Sequence, residues 1–133
     1  MIRVLVVEDS EDYRRILRRV LEPAGYRVAC AGSAEEAQQL LKTRVPDVAV
    51  VDWNLPGKSG VDFCREARQD PRLSRMILIM LTVNSQPADQ VRGLREGGAN
   101  MYMTKPFAPL ELLARVAGLV RERDHLGAGG SAS

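Results

Sequence analysis

Residues 2–10 read IRVLVVEDS, and within them Val4-Leu5-Val6-Val7 is an apolar run that ends abruptly in two acids. A strand with one wet face alternates apolar and polar residues, whereas a strand buried on both faces reads as a continuous apolar run. The run therefore predicts a strand inside a parallel sheet that is covered by helices on both sides. Similar short runs follow at Tyr26–Cys30, Val48–Val51, Met76–Leu81 and Met101–Met103.

Helical patterns fill the intervals. Tyr13, Ile16, Leu17, Val20 and Leu21 recur at spacings of three and four, which makes one apolar stripe. Ser33 with Glu36 is a capping box opening a helix that carries Ala37, Leu40 and Leu41. Val61 to Arg68 and Ala88 to Glu96 predict shorter helices. Leu113, Val116, Ala117 and Val120 form the last stripe, with Pro109 suited to a first turn. Strands alternating with helices from end to end give an α/β fold built on one parallel sheet. From Asp124 the stretch DHLGAGGSAS loses both periods and is rich in Gly and Ser, so 1–123 is expected to be the domain and 124–133 a flexible tail or linker start.

Composition limits the functions open to such a domain. The chain has 133 residues, 45% hydrophobic and 27% charged, enough for one full core. Its 19 basic and 17 acidic residues are scattered, which argues against direct nucleic-acid binding. Cys30 and Cys64 form no paired motif, and with His125 the sole histidine no zinc set can be assembled. Free thiols, no signal peptide and no apolar stretch of membrane-spanning length lead to the expectation of a soluble, cytoplasmic protein.

The second informative stretch, VVDWNLPGKSG at 50–60, repeats the design of the first: an apolar run delivers an acid, Asp52, at its end. Gly57-Lys58-Ser59 looks like the end of a phosphate-binding P-loop, but that motif needs glycine where Asp52 stands. In an open parallel sheet, ligands bind beyond the carboxyl ends of the strands. Those ends carry Glu8 and Asp9, Asp52, Thr82 and Lys105. Three neighbouring carboxylates stay ionised at neutral pH only with a cation among them. Oxygen ligands alone suit a hard ion, Mg²⁺ or Mn²⁺. A carboxylate beside such an ion, with an ammonium and a hydroxyl to receive phosphoryl oxygens, is equipped to become an aspartyl phosphate. Asp52 is the expected acceptor.

With VVEDS at 6–10, VVDWNLPGKSG at 50–60, MLTVNS at 80–85 and YMTKPF at 102–107, the sequence resembles the receiver domains of bacterial two-component response regulators. The resemblance spans roughly residues 2–123. It implies a flavodoxin-like doubly wound sheet of strand order 2-1-3-4-5, and a Mg²⁺-dependent phosphoacceptor. The donor would be a sensor histidine kinase or a histidine phosphotransfer protein. By position, Asp52 would be the phosphorylation site. Asp9, Asp52 and the Asn54 backbone carbonyl would bind the metal directly, and Glu8 through water. Lys105 and Thr82 would contact the phosphoryl group, and Thr82 with Tyr102 would form the switch.

The same resemblance implies that the face of the fourth helix, fifth strand and last helix changes its affinity for a target, an output domain or a second copy of the chain. Leu112 and Leu119 would lie on that face or in the peripheral core. Val83 departs from the family, which has a small residue there, so Val83, Asn54 and Asn84 are expected to tune the transfer rates. Trp53 is expected as a partly exposed loop residue. Two rival readings stand beside this one. A phosphatase with an Asp nucleophile would need an acid at position 54, where Asn54 cannot serve. A degenerate receiver would bind partners without ever being phosphorylated.

Overall fold

The computed structural model describes the backbone of residues 1–132 and the side chains as far as Leu126. Strands β1 (Arg3–Val7), β2 (Arg27–Ala31), β3 (Val48–Val51), β4 (Ile77–Thr82) and β5 (Met101–Thr104) alternate with helices. The helices are α1 (Glu11–Leu21), α2 (Ala34–Thr43), α3 (Gly60–Gln69), α4 (Pro87–Arg95) and α5 (Pro109–Ala132). All strand pairs are parallel, and the order across the sheet is β2-β1-β3-β4-β5. The expected elements are all present, with most boundaries moved by one or two residues.

Strand pleating sorts the core into two layers. Leu5, Val7, Ala49, Val51, Leu78 and Met80 face Ala37 and Leu41 of α2 and Phe63, Cys64 and Ala67 of α3. On the other face Val4, Val6, Val48, Val50, Ile79 and Leu81 pack on Leu17 and Leu21 of α1 and Leu112 and Val116 of α5. Every residue of β3 and β4 is buried, as two-sided coverage requires. Leu112 is fully enclosed and Leu119 packs against the same layer, so both belong to the core. Ile16 and Leu40, placed on apolar stripes by their spacing, are exposed.

Local chemistry fixes the helix starts. The hydroxyl oxygens of Ser10, Ser33 and Ser59 accept from the backbone N–H of Tyr13, Glu36 and Asp62 at 3.2, 3.1 and 3.2 Å. Glu36 reaches back as a capping box predicts, but its carboxylate takes the N–H of Gly32, at 3.0 Å.

The tail expected from Asp124 is helical as far as Ala132; Ser133 lies outside the described residues. Once a helix is docked, each further turn adds hydrogen bonds without a new nucleation cost. Arg123 ties this end of α5 to the domain through an ion pair with Asp47 at 3.2 Å. Among the described residues, no helix is long and apolar enough to cross a membrane.

Candidate functional site: an acidic cluster at the carboxyl edge of the sheet

The parallel ladder continues one residue past the strands and so sets the site. Glu8 N–H donates to the Ala31 carbonyl, Asp52 N–H to Val7 and Lys105 N–H to Thr82, each at 2.9 Å. These bonds align the three side chains on one edge. The edge includes the point between β1 and β3 where the chain reverses its direction of winding.

Oxygen atoms of Glu8, Asp9 and Asp52 lie within 4.8 Å of one another. Glu8 and Asp52 are buried, and Asp9 is exposed at the rim. The Lys105 ammonium lies between the two buried acids, bonded to Glu8 and, at 3.0 Å, to Asp52. It also sits 4.0 Å from the centre of the Tyr13 ring. The remaining carboxylate oxygens find backbone donors. Glu8 accepts from Ser10 N–H at 3.0 Å and Asp52 from Asn54 N–H at 3.2 Å.

Three carboxylates face one ammonium, so the cluster carries excess negative charge. Burial raises the Glu8 pKa above its ordinary value, the Asp52 charge adds to this, and the Lys105 hydrogen bond opposes it. Burial alone would lower the Lys105 pKa, but its bonds to Glu8 and Asp52 bring the net shift upward. The lysine is therefore firmly protonated. The oxygen-only donor set fits a hard divalent ion, which would offset the charge that Lys105 leaves uncompensated.

A second layer of contacts joins this cluster to β5. Thr82 is buried at the end of β4, and its hydroxyl oxygen accepts from Asn84 N–H at 3.4 Å. Asn84 and Asn54 pair side chain to side chain, with contacts of 3.0 and 3.4 Å, and so link the loops after β3 and β4. The Tyr102 hydroxyl donates to the Asn84 carbonyl at 2.6 Å. The Tyr102 and Trp53 rings meet edge to face, 6.4 Å apart at 75°, and the Arg92 guanidinium lies 5.3 Å from the Trp53 centroid. Val83 points away from this packing and is 61% exposed.

The structure thus brings together Glu8, Asp9, Asp52 and Lys105, and connects Thr82, Asn84, Asn54 and Tyr102 by hydrogen bonds. Two glycines that the motif reading left without a role shape the site. A Cβ on Gly60 would stand 2.0 Å from the Asp52 carbonyl oxygen, so only glycine lets α3 start so close to the acid. A Cβ on Gly93 would stand 2.7 Å from two carbons of the Tyr102 ring. A glycine inside a helical pattern was the available signal for such an approach.

A parallel 2-1-3-4-5 sheet with clustered acids and a lysine at its carboxyl edge defines a doubly wound α/β domain with a candidate cation site. The chain matches the response regulator receiver domain family over residues 4–117, and it belongs to that family. It is 42% identical over 119 residues to the phosphate regulon transcriptional regulatory protein PhoB of Rhizobium meliloti, an alignment covering 90% of this chain and 52% of that protein. The chain therefore spans about half the length of the curated relatives it matches. A putative response regulator from Chloroflexus aurantiacus superposes with a TM-score of 0.85 at 37% identity, covering 90% of this chain and 97% of the other. The chemotaxis protein CheY4 of Vibrio cholerae superposes with a TM-score of 0.84 at 30% identity, covering 90% and 98%.

Proposed function

We propose that this receiver domain accepts a phosphoryl group on Asp52 from a phosphohistidine of a sensor histidine kinase or a histidine phosphotransfer protein. The observation that carries the reading is the contact set of Asp52. One of its oxygens bonds the Lys105 ammonium, and Glu8 and Asp9 place further oxygens within 4.8 Å. Glu8, Asp9, Asp52 and the Asn54 carbonyl would hold Mg²⁺ or Mn²⁺; no hydrogen bond to that carbonyl is found among the described residues. When bound, the ion would neutralise charge on the transferring phosphoryl oxygens.

An Asp52 carboxylate oxygen attacks phosphorus while the phosphorus–nitrogen bond to the donor imidazole breaks, and the electron pair leaves with that nitrogen. A carboxylate attacks through an oxygen lone pair and releases no proton, so Asp52 needs no general base. Lys105 is positioned to neutralise the incoming oxygens. The Thr82 hydroxyl can turn from Asn84 towards the phosphoryl group and donate to it.

That turn would remove the acceptor that now holds Asn84 N–H, and Asn84 in turn holds the Tyr102 hydroxyl. Tyr102 would then change its position, altering the face formed by α4, β5 and α5. That face would contact an output domain, a target protein or a second copy of the chain. Val83, Asn54 and Asn84 would tune the rates of phosphoryl entry and loss. With Asn54 in place of a second acid, the domain acts as a switch that is phosphorylated once per signal, with slow self-dephosphorylation.

Incubation with Mg²⁺ and a small acyl phosphate, followed by intact-mass measurement, tests the assignment. The chain should gain the mass of one phosphoryl group and Asp52→Asn should gain none. A gain that persists in Asp52→Asn, or no gain in the native chain, would overturn it.

A further inference from the structure

At the end of the sheet opposite the acids, the first residues of β1 and β2 stand side by side. Arg3 pairs in register with Arg27. Arg44, just beyond α2, lines the same pocket as Arg3 and Arg27. The three arginines border a pocket of about 480 Å³, whose remaining wall includes Ala29, Leu40 and Pro46. Leu40 is one of the exposed large apolar side chains, although it lies on a helix with an otherwise buried stripe.

Among the described residues, no carboxylate forms an ion pair with this cluster. Among the described residues, none of the three guanidiniums enters an ion pair or a side-chain hydrogen bond. Asp47, whose charge acts on Arg3, is already engaged. One of its oxygens accepts the Arg3 backbone N–H at 2.8 Å, and the other pairs with Arg123 at 3.2 Å. Burial lowers the Arg3 pKa, the charges of Arg44 and Arg27 lower it further, and the Asp47 charge opposes them. The two arginine contributions show a cation held among like charges.

Arg27 and Arg44 are exposed and water weakens their repulsion, but an anion joining the three would relieve what remains. Guanidinium forks bind carboxylate and phosphate groups through paired hydrogen bonds, and the cavity volume falls in the range of small-molecule sites. We propose that this pocket binds a small organic anion, its carboxylate or phosphate head held by Arg3, Arg27 and Arg44 and its apolar body lying against Leu40, Ala29 and Pro46. The site is independent of the acidic cluster and of the phosphoacceptor reading.

Amide chemical shifts of the full chain, titrated with octanoate and in parallel with octyl phosphate, test this. At least one probe should shift amides of residues 3–5, 27–29 and 40–46 saturably, and the tighter of the two identifies the head group. Octanol should bind at least about ten-fold more weakly, as should each of the variants Arg27→Gln and Arg44→Gln towards the charged probe. Arg19→Gln, on the exposed surface of α1, should bind as the native chain does. Both pocket arginines are solvent-facing at one end, so unchanged shifts elsewhere will show that the variants remain folded. The proposal falls if neither charged probe gives saturable shifts there, if octanol binds as tightly, or if the pocket variants bind as well as the native chain.

Discussion

Gly93→Ala probes the seat of Tyr102 directly. The added methyl carbon would stand 2.7 Å from two ring carbons of Tyr102 and 3.1 Å from the Met80 sulfur, and the ring also meets Trp53 edge to face. Contacts that short do not persist, so the ring must leave its place. Displacement costs the hydroxyl bond to Asn84, about 1 kcal/mol net, and the edge contact with Trp53, about another 1 kcal/mol. Alanine returns up to about 1 kcal/mol through its helix propensity in α4. The expected net loss is about 1 kcal/mol, at the low end of the range of about 1–3 kcal/mol for forced overpacking, because Tyr102 is half-buried and can swing outward. Urea unfolding followed by emission of Trp53, the sole tryptophan, gives both the stability and the altered ring environment. A variant as stable as the native chain, with the Tyr102–Trp53 proton contacts intact, would refute this account of the ring's position.

Three further outcomes follow from the same contacts. Lys105→Met should cost about 3 kcal/mol at neutral pH, because Glu8 and Asp52 then lie buried without their ammonium. The folded-state pKa of Glu8 is already raised, so the fold favours its protonated form and the deficit should shrink as pH falls towards 4.5; an equal deficit at both pH values would contradict this. The Tyr102 phenol is pushed up to about 12 from 10, by burial first and then by the Asp89 and Asp52 charges. Its contribution to stability should be complete below pH 10 and decline between 10 and about 12, with the late step in an absorbance titration missing from Tyr102→Phe. Burial pushes the Cys64 thiol up to about 12; it raises Cys30 as well, but that thiol is only half-buried and the Arg18 and Arg14 charges oppose the rise. Alkylation of the folded chain should therefore label Cys30 alone, and mass analysis showing Cys64 modified first would overturn that order.

The solved receiver structures share this fold, and the chain's own residues account for it. Continuous apolar runs place β1, β3 and β4 inside a two-sided core, and the residue following each run necessarily emerges at the carboxyl edge. Glu8, Asp52 and the Thr82–Lys105 pair could be placed on that edge from strand periodicity alone. The flavodoxin-like strand order came from the family resemblance, since periodicity does not say which strands are neighbours.

The amino-acid sequence by itself determined the alternation of strand and helix, the serine caps, and the gathering of acids at one edge, because these depend on local period and on residues a few positions apart. Tertiary structure alone decided which distant side chains touch. It placed Leu112 in the core, set Tyr102 on Gly93 and under Asn84, and joined Asn54 to Asn84 across two loops. It also brought Arg3, Arg27 and Arg44 around one pocket. The physical reason is that hydrophobic period encodes which face of an element is buried, whereas contacts between elements depend on register and packing angle, and one-dimensional patterns carry neither.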